Sequence, residues 1–202
     1  MLADLRDNPI DGVIPVPEAL LSAQEIKRWE SFRRPIDRDR YLQRTALLRT
    51  LLGQILDRDG ASIRFQTNSL GKPALAGDAS VQFNLSHALE LVLLAFHCSH
   101  PVGVDVEQID QRLQWRPIAE RCLPERTLLE LLERPVADQR GAFIQCWCDL
   151  EAQLKCRGHG LSGLNQCQPA ASAGGERIWP VRVPLGFRAA VAEAKAPCQG
   201  LA

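Results

Sequence analysis

The chain has 202 residues, 46% of them hydrophobic and 24% charged, with Lys+Arg and Asp+Glu balanced at 24 each. That length supports a substantial core without disulfide staples, and the charge balance excludes a nucleic-acid track driven by bulk positive charge. The longest apolar run, residues 91–96 (LVLLAF), is far too short to span a bilayer. The opening MLADLRDNPIDG has early acids and no apolar signal core, so the chain reads as cytoplasmic. Its seven cysteines form no C-x-x-C pair, which leaves a structural zinc site without ligand spacing and the thiols as small hydrophobes.

In chain order, Ser22 caps a helix running through Glu25 and Trp29. Beyond Pro35, residues 37–56 carry Leu48, Leu51, Leu52 and Ile55 at helical spacing, which predicts an amphipathic helix with Arg40 and Arg44 on a shared face. Between Lys27 and Arg49 eight bases accompany three acids, either a solvated helical face or a seat for a small polyanion. Ile63 and Phe65 alternate with polar residues as a short strand, and residues 68–73 read as a turn. Residues 81–85 and 90–97 read as strands joined by a link at 86–89, and residues 102–107 as a further strand. Helices follow over 116–122, 125–133 and 137–156, the last ended by Gly158 and Gly160. After a small-residue loop at 168–176, residues 178–183 and 187–192 read as strands. Helices followed by strands occur twice, which predicts an α+β fold of two halves, 1–101 and 102–202.

The stretch Val102-Gly103-Val104-Asp105-Val106-Glu107 carries the first chemical signal. Strand alternation puts the three valines on one face and Gly103, Asp105 and Glu107 on the other. Two adjacent carboxylates, with room left by the glycine, suit Mg²⁺, a hard ion that shares its sphere with water and phosphates. The same pattern also describes an edge strand with acids on its wet side. On the helix over 137–156, Phe143, Trp147, Leu150 and Leu154 form an apolar stripe beside Glu151 and Lys155, one turn apart. That pair is either a helix-stabilising ion pair, worth about 0.2–0.5 kcal/mol, or a third metal-side carboxylate with an ammonium to hold a phosphate. Ser86-His87 and Gly71-Lys72-Pro73 are turn-like or anion-directed. No nucleotide-binding glycine loop, nucleophile elbow or H-E-x-x-H helix is present.

The order of these motifs is more specific than any one of them. Gly71-Lys72-Pro73, Phe83-Asn84-Leu85-Ser86-His87, the 102–107 stretch, and Trp147-x-x-x-Glu151-Ala152-x-x-Lys155-x-x-Gly158-x-Gly160-Leu161 together resemble the 4′-phosphopantetheinyl transferases of the surfactin-synthetase-activating type. The likeness runs from about Arg28 to Leu161. It implies a pseudo-twofold pair of α+β halves with coenzyme A in the cleft between them and an acyl or peptidyl carrier protein as acceptor. By motif position it implies Asp105, Glu107 and Glu151 as magnesium ligands, and Glu151 and Lys155 as catalytic groups. Lys72, Ser86, His87 and Lys155 are implied as coenzyme A contacts, with Arg28 and Arg40 at the adenosine 3′-phosphate end. No nucleic-acid or membrane partner is implied, and two halves enclosing the site let a monomer suffice. One departure stands out: many members place a lysine before the motif glutamate, where this chain has Leu150. Arg157 is the candidate substitute. Two other readings remain, a non-catalytic coenzyme A or carrier-binding module, and a magnesium-dependent phosphodiesterase using Asp105 and Glu107 with Glu193 and Lys195.

Overall fold

The computed structural model describes residues 2–4, 17–78, 80–158 and 175–195. Ser22 and Glu25 start helix α1 (Ala23–Glu30) as a reciprocal capping box, the serine hydroxyl accepting from the Glu25 amide and the Glu25 carboxylate from the Ser22 amide. Such a cap contributes about 1 kcal/mol. Glu25 also pairs at 2.8 Å with Arg49, which is 1% exposed and donates to the carbonyls of Gly60 and Ile63. A buried guanidinium needs this complete set of acceptors. It belongs to α2 (Pro35–Leu56), which begins two residues earlier than expected because proline suits a first helical turn. Its buried stripe is Leu47, Leu48 and Leu52, while Ile55 is 49% exposed.

A short hairpin follows, β2 (Phe65–Thr67) and β3 (Pro73–Leu75), so the expected strand lies slightly later and the 68–73 turn has strands on both sides. Strand β4 (Gln82–Ala88) runs through Ser86 and His87, which are strand residues and not the link expected. It pairs with β5 (Leu91–His97), and a two-residue turn at Leu89 and Glu90 joins them. Strand β1 (Leu2–Asp4), unmarked by any sequence pattern, adds to the other edge of β5. In the second part β6 (Val102–Gln108) leads through α3 (Trp115–Cys122) and α4 (Glu125–Leu132) to the long α5 (Val136–Arg157). Strands β7 (Glu176–Pro180) and β8 (Phe187–Ala194) complete a second sheet. The glycine expected to end α5 does so, Gly158 at φ 75°. Gly160, Leu161 and most of the 168–176 loop lie outside the described residues.

The topology repeats. In chain order strand β1, helix α2 and strands β4 and β5 make one unit, with an antiparallel sheet ordered β1-β5-β4; strand β6, helix α5 and strands β7 and β8 make a second, with a sheet ordered β6-β8-β7. The α+β class therefore holds, with each unit opening on a strand ahead of its helix. Val92 and Leu94 bury against α2, while Leu91 and Leu93 turn to Val104 and Val106 of the second unit.

Candidate functional site

The two sheets meet along β4 and β6, joined by side chains where a ladder would be. Asn84 Oδ1 accepts from the Val104 amide at 2.8 Å, and Ser86 Oγ from the Val106 amide at 3.3 Å. Residues 84 and 86 share a strand face, so β4 presents Ser86 to the second unit and His87 to the opposite side.

Alternation on β6 holds as expected, but the acid face is buried at Gly103 and Asp105 and only partly open at Glu107. Gly103 lets α5 approach so closely that a Cβ there would lie 2.0 Å from the Ala152 carbonyl oxygen. The glycine serves helix contact, correcting its reading as space for a ligand. Asp105, next on that face, is 1% exposed, which removes the edge-strand alternative. Its Oδ1 accepts from Ser86 Oγ at 2.9 Å and from Lys155 Nζ at 2.5 Å. Lys155 also reaches Glu151 at 3.3 Å and Ser86 Oγ at 3.3 Å. Ser86, Asp105, Glu151 and Lys155 are therefore one cluster, and Glu107 joins it through charge. Burial, reinforced by Asp105 and Glu151, pushes Glu107 up to about 7. Burial and the Asp105 charge raise Glu151, opposed by Lys155 and a hydrogen bond from Trp147. Burial opposes charge on Lys155, but Asp105 and Glu151 outweigh it and raise its affinity for the proton.

The donor set fits a hard divalent cation. Three carboxylates share the site, and Asp105 Oδ2 is buried with no hydrogen-bond partner, an acceptor suited to a hard cation. Lys155 reaches both Asp105 and Glu151, so one cation already bridges these acids.

Among the described residues, a tighter trio of metal-type donors lies elsewhere: His97, His100 and Glu193, within 4.8 Å of one another. His97 Nδ1 accepts from the Ser99 and His100 amides at 3.0 and 2.8 Å. That fixes the neutral ring's proton on Nε2, which donates to Glu193 Oε1 at 3.2 Å. Coordination at Nε2 would require an imidazolate, so this trio is a hydrogen-bonded tie between the β5–β6 turn and β8. It also removes Glu193 from the phosphodiesterase alternative. Glu193 pairs with Val102, three residues from Asp105, about 10 Å along the strand.

His87 faces cations. Partial burial, then the charges of Arg44, Lys155 and Arg40, hold it down to about 4, although its ring keeps solvent access. Arg40 binds Glu90 through Nε at 3.1 and 3.2 Å and through Nη2, with Asp37 at 3.9 Å. Arg28 and Arg44 both approach the Tyr41 ring, 5.9 and 5.1 Å from its centroid. Lys72 lies apart from the acids. Its ammonium donates to the Val102 and Cys156 carbonyls at 3.0 and 3.2 Å, beside a cavity of about 330 Å³ along the seam. Arg157 is held by Glu176 at 2.8 Å and so does not stand in for the lysine absent at Leu150. A larger cavity of about 640 Å³ lies on another face of α5, lined by Arg134, Arg140, Asp149 and Arg188.

Sequence reasoning missed Asn84, whose signal was its two-residue spacing from Ser86, and Glu90, whose pairing with Arg40 spans 50 residues. Among the described residues, no helix is long and apolar enough to cross a membrane.

A family model for the 4′-phosphopantetheinyl transferase superfamily matches residues 101–178. A Synechocystis sp. protein carrying the 4′-phosphopantetheinyl transferase name is 32% identical over 166 residues, 81% of this chain and 66% of that protein. The 4′-phosphopantetheinyl transferase HetI of Nostoc sp. is 30% identical over 155 residues, covering 75% and 65%. The 4′-phosphopantetheinyl transferase Sfp of Bacillus subtilis is 32% identical over 158 residues, covering 70% and 67%. The chain thus spans slightly less than two thirds of the first two relatives.

Proposed function

Since the chain belongs to the 4′-phosphopantetheinyl transferase superfamily, we propose that it transfers the 4′-phosphopantetheine arm of coenzyme A to a serine of an acyl or peptidyl carrier protein. The other product is 3′,5′-ADP, and the work is done in the cytoplasm by a monomer whose halves divide near residues 101 and 102. The observation that carries this reading is the buried acid cluster on the seam between the two sheets, with Asp105 Oδ2 unpartnered and cations on the adjoining face.

Asp105, Glu107 and Glu151 would hold Mg²⁺, which would supply Lewis-acid relief of the phosphate charge. The chain's own groups do the rest. Arginines of the N-terminal helices and His87 receive the nucleotide end of coenzyme A. Lys155, kept charged by Asp105 and Glu151, faces the pyrophosphate and stabilises the leaving side. The carrier serine oxygen attacks the phosphorus next to pantetheine, the P–O bond to the bridging oxygen breaks, and that electron pair leaves on 3′,5′-ADP. Glu151, its proton affinity raised by burial and the neighbouring Asp105 charge, accepts the serine proton.

Intact-mass analysis of an apo carrier protein incubated with this protein, coenzyme A and Mg²⁺ tests the proposal. One added phosphopantetheine arm, lost with EDTA or with Asp105→Ala, is the expected result. Coenzyme A binding without transfer to several carriers would turn the reading into a binding module and make Leu150 the decisive departure.

A further inference from the structure

Arg40 and Arg44 lie one turn apart on α2, and sequence motif position favours Arg40 for the ligand. The structure distributes their charges differently. Arg40 is neutralised internally, its guanidinium forked onto Glu90 of the β4–β5 turn, with Asp37 beside it. Arg44 is half-buried, and among the described residues no carboxylate stands within ion-pair distance of it. Its guanidinium lies 5.1 Å from the centroid of the Tyr41 ring, which packs on Phe32 and also has the exposed Arg28 of α1 at 5.9 Å. Two like charges are thus held against one aromatic ring from two helices. Without an anion such an arrangement is repulsive, and a phosphate placed between them relieves it.

We propose that Arg44, rather than Arg40, takes a phosphate of the nucleotide end of coenzyme A, closing on it with Arg28 beside the Tyr41 ring. The assignment rests on the transfer reading above. Arg40 is then a positioning residue, which ties α2 to the β4–β5 turn so that His87 and Arg44 face the same space. Arg44 and Arg40 both hold down the proton affinity of His87, which places their charges near one site. Burial also makes the Arg44 charge unfavourable while it lacks a partner.

The test is calorimetric titration of the full chain with 3′,5′-ADP and with 5′-AMP. Arg44→Gln should weaken 3′,5′-ADP binding on the order of 10- to 100-fold, the scale of a charged hydrogen-bonded pair, with little change in Tm. Arg44→Lys, which keeps the charge but not the fork, should lose an intermediate amount. Arg33→Gln, removing the same charge from an exposed position, should leave binding unchanged. Arg40→Gln should lower Tm and weaken binding less than Arg44→Gln does. In steady-state transfer, Arg44→Gln should raise KM for coenzyme A with kcat nearly preserved. A loss confined to 3′,5′-ADP assigns the contact to the 3′-phosphate, and an equal loss with 5′-AMP assigns it to the 5′ side; either supports the proposal. Unchanged binding by Arg44→Gln, or a larger loss with Arg40→Gln, overturns it while leaving the transfer reading intact. A wild-type chain that binds no 3′,5′-ADP overturns both.

Discussion

Replacing Gly103 with alanine tests the joint that sets the acid cluster. The new Cβ would stand 2.0 Å from the Ala152 carbonyl oxygen and 2.3 Å from the Cys156 amide nitrogen, where ordinary contact lies at 3.4–4 Å. Both neighbours are main-chain atoms, so no side chain can rotate away, and β6 and α5 must part by roughly 1.4 Å. Overpacking of this kind costs about 3 kcal/mol, which for a chain of this size lowers Tm by roughly 6–12 °C. Glu151 immediately precedes Ala152, so the same displacement draws it away from Asp105. A misplacement of about 1 Å near reacting groups costs on the order of 100-fold in rate. Thermal and urea unfolding, run beside the intact-mass transfer assay, measure both effects on one preparation. An alanine variant melting within about 2 °C of wild type, with unchanged transfer, would show that this contact neither limits packing nor sets the site.

Ser86→Ala leaves the Val106 amide without its acceptor and Asp105 Oδ1 without one donor. The expected loss is about 1–3 kcal/mol in urea unfolding, with faster hydrogen exchange at Val106; a neutral substitution would contradict the seam described here. In metal-free protein Glu107 is raised from 4.5 to about 7, so between those values the native state holds the proton that the unfolded chain has released. Stability should therefore be fullest below 4.5 and decline as pH rises through 7, Glu107→Gln should flatten that slope, and Mg²⁺ should stabilise most at its upper end. A slope unaltered by the glutamine variant would refute the assignment. Histidine NMR should find His87 near 4 and rising when 3′,5′-ADP binds; a midpoint near 6.5 in the free protein would remove the cationic surroundings argued for it. Leu89 adopts φ 52° in the β4–β5 turn, a region costing roughly 1–2 kcal/mol for a side-chain-bearing residue. Leu89→Gly should accordingly stabilise by up to about 1 kcal/mol after glycine's own entropic cost, and a clear fall in Tm would show that the leucine side chain outweighs the strain.

Period-two alternation was enough to place Asp105 and Glu107 on one face of β6, because three valines fix the other. Whether that face meets water was not readable, since it depends on α5, whose Ala152 lies 49 residues beyond Gly103. Gly103 shows the ambiguity: a glycine beside two acids fits a ligand cavity or a close helix equally, and only the Ala152 carbonyl decides. Ser86 and His87 looked like a link because polar residues interrupt the apolar pattern there. In the fold their polarity serves two different partners, Asp105 on one face and the arginines on the other. The shared face of Arg40 and Arg44 follows from helical spacing alone. Which of the two is neutralised depends on Glu90, 50 residues from Arg40, a pairing that no local pattern encodes. The three residues of β1 carried no alternation long enough to notice.

The Asn84 and Ser86 bridges to the Val104 and Val106 amides also act as a vernier between the two units. A backbone ladder can slide by two residues and still find partners, whereas these two acceptors match only the amides they now meet. Sliding β4 by one residue would set Phe83 and Leu85 against the same two amides, burying both without acceptors, at a cost on the order of 1–3 kcal/mol each. Any sequence that keeps the two sheets but loses these two side chains can still fold each unit, yet has nothing to index one against the other. Since Ser86 contacts Asp105 directly, the alignment of the reacting groups is inherited from this pair of polar teeth and not from the hydrophobic packing behind it.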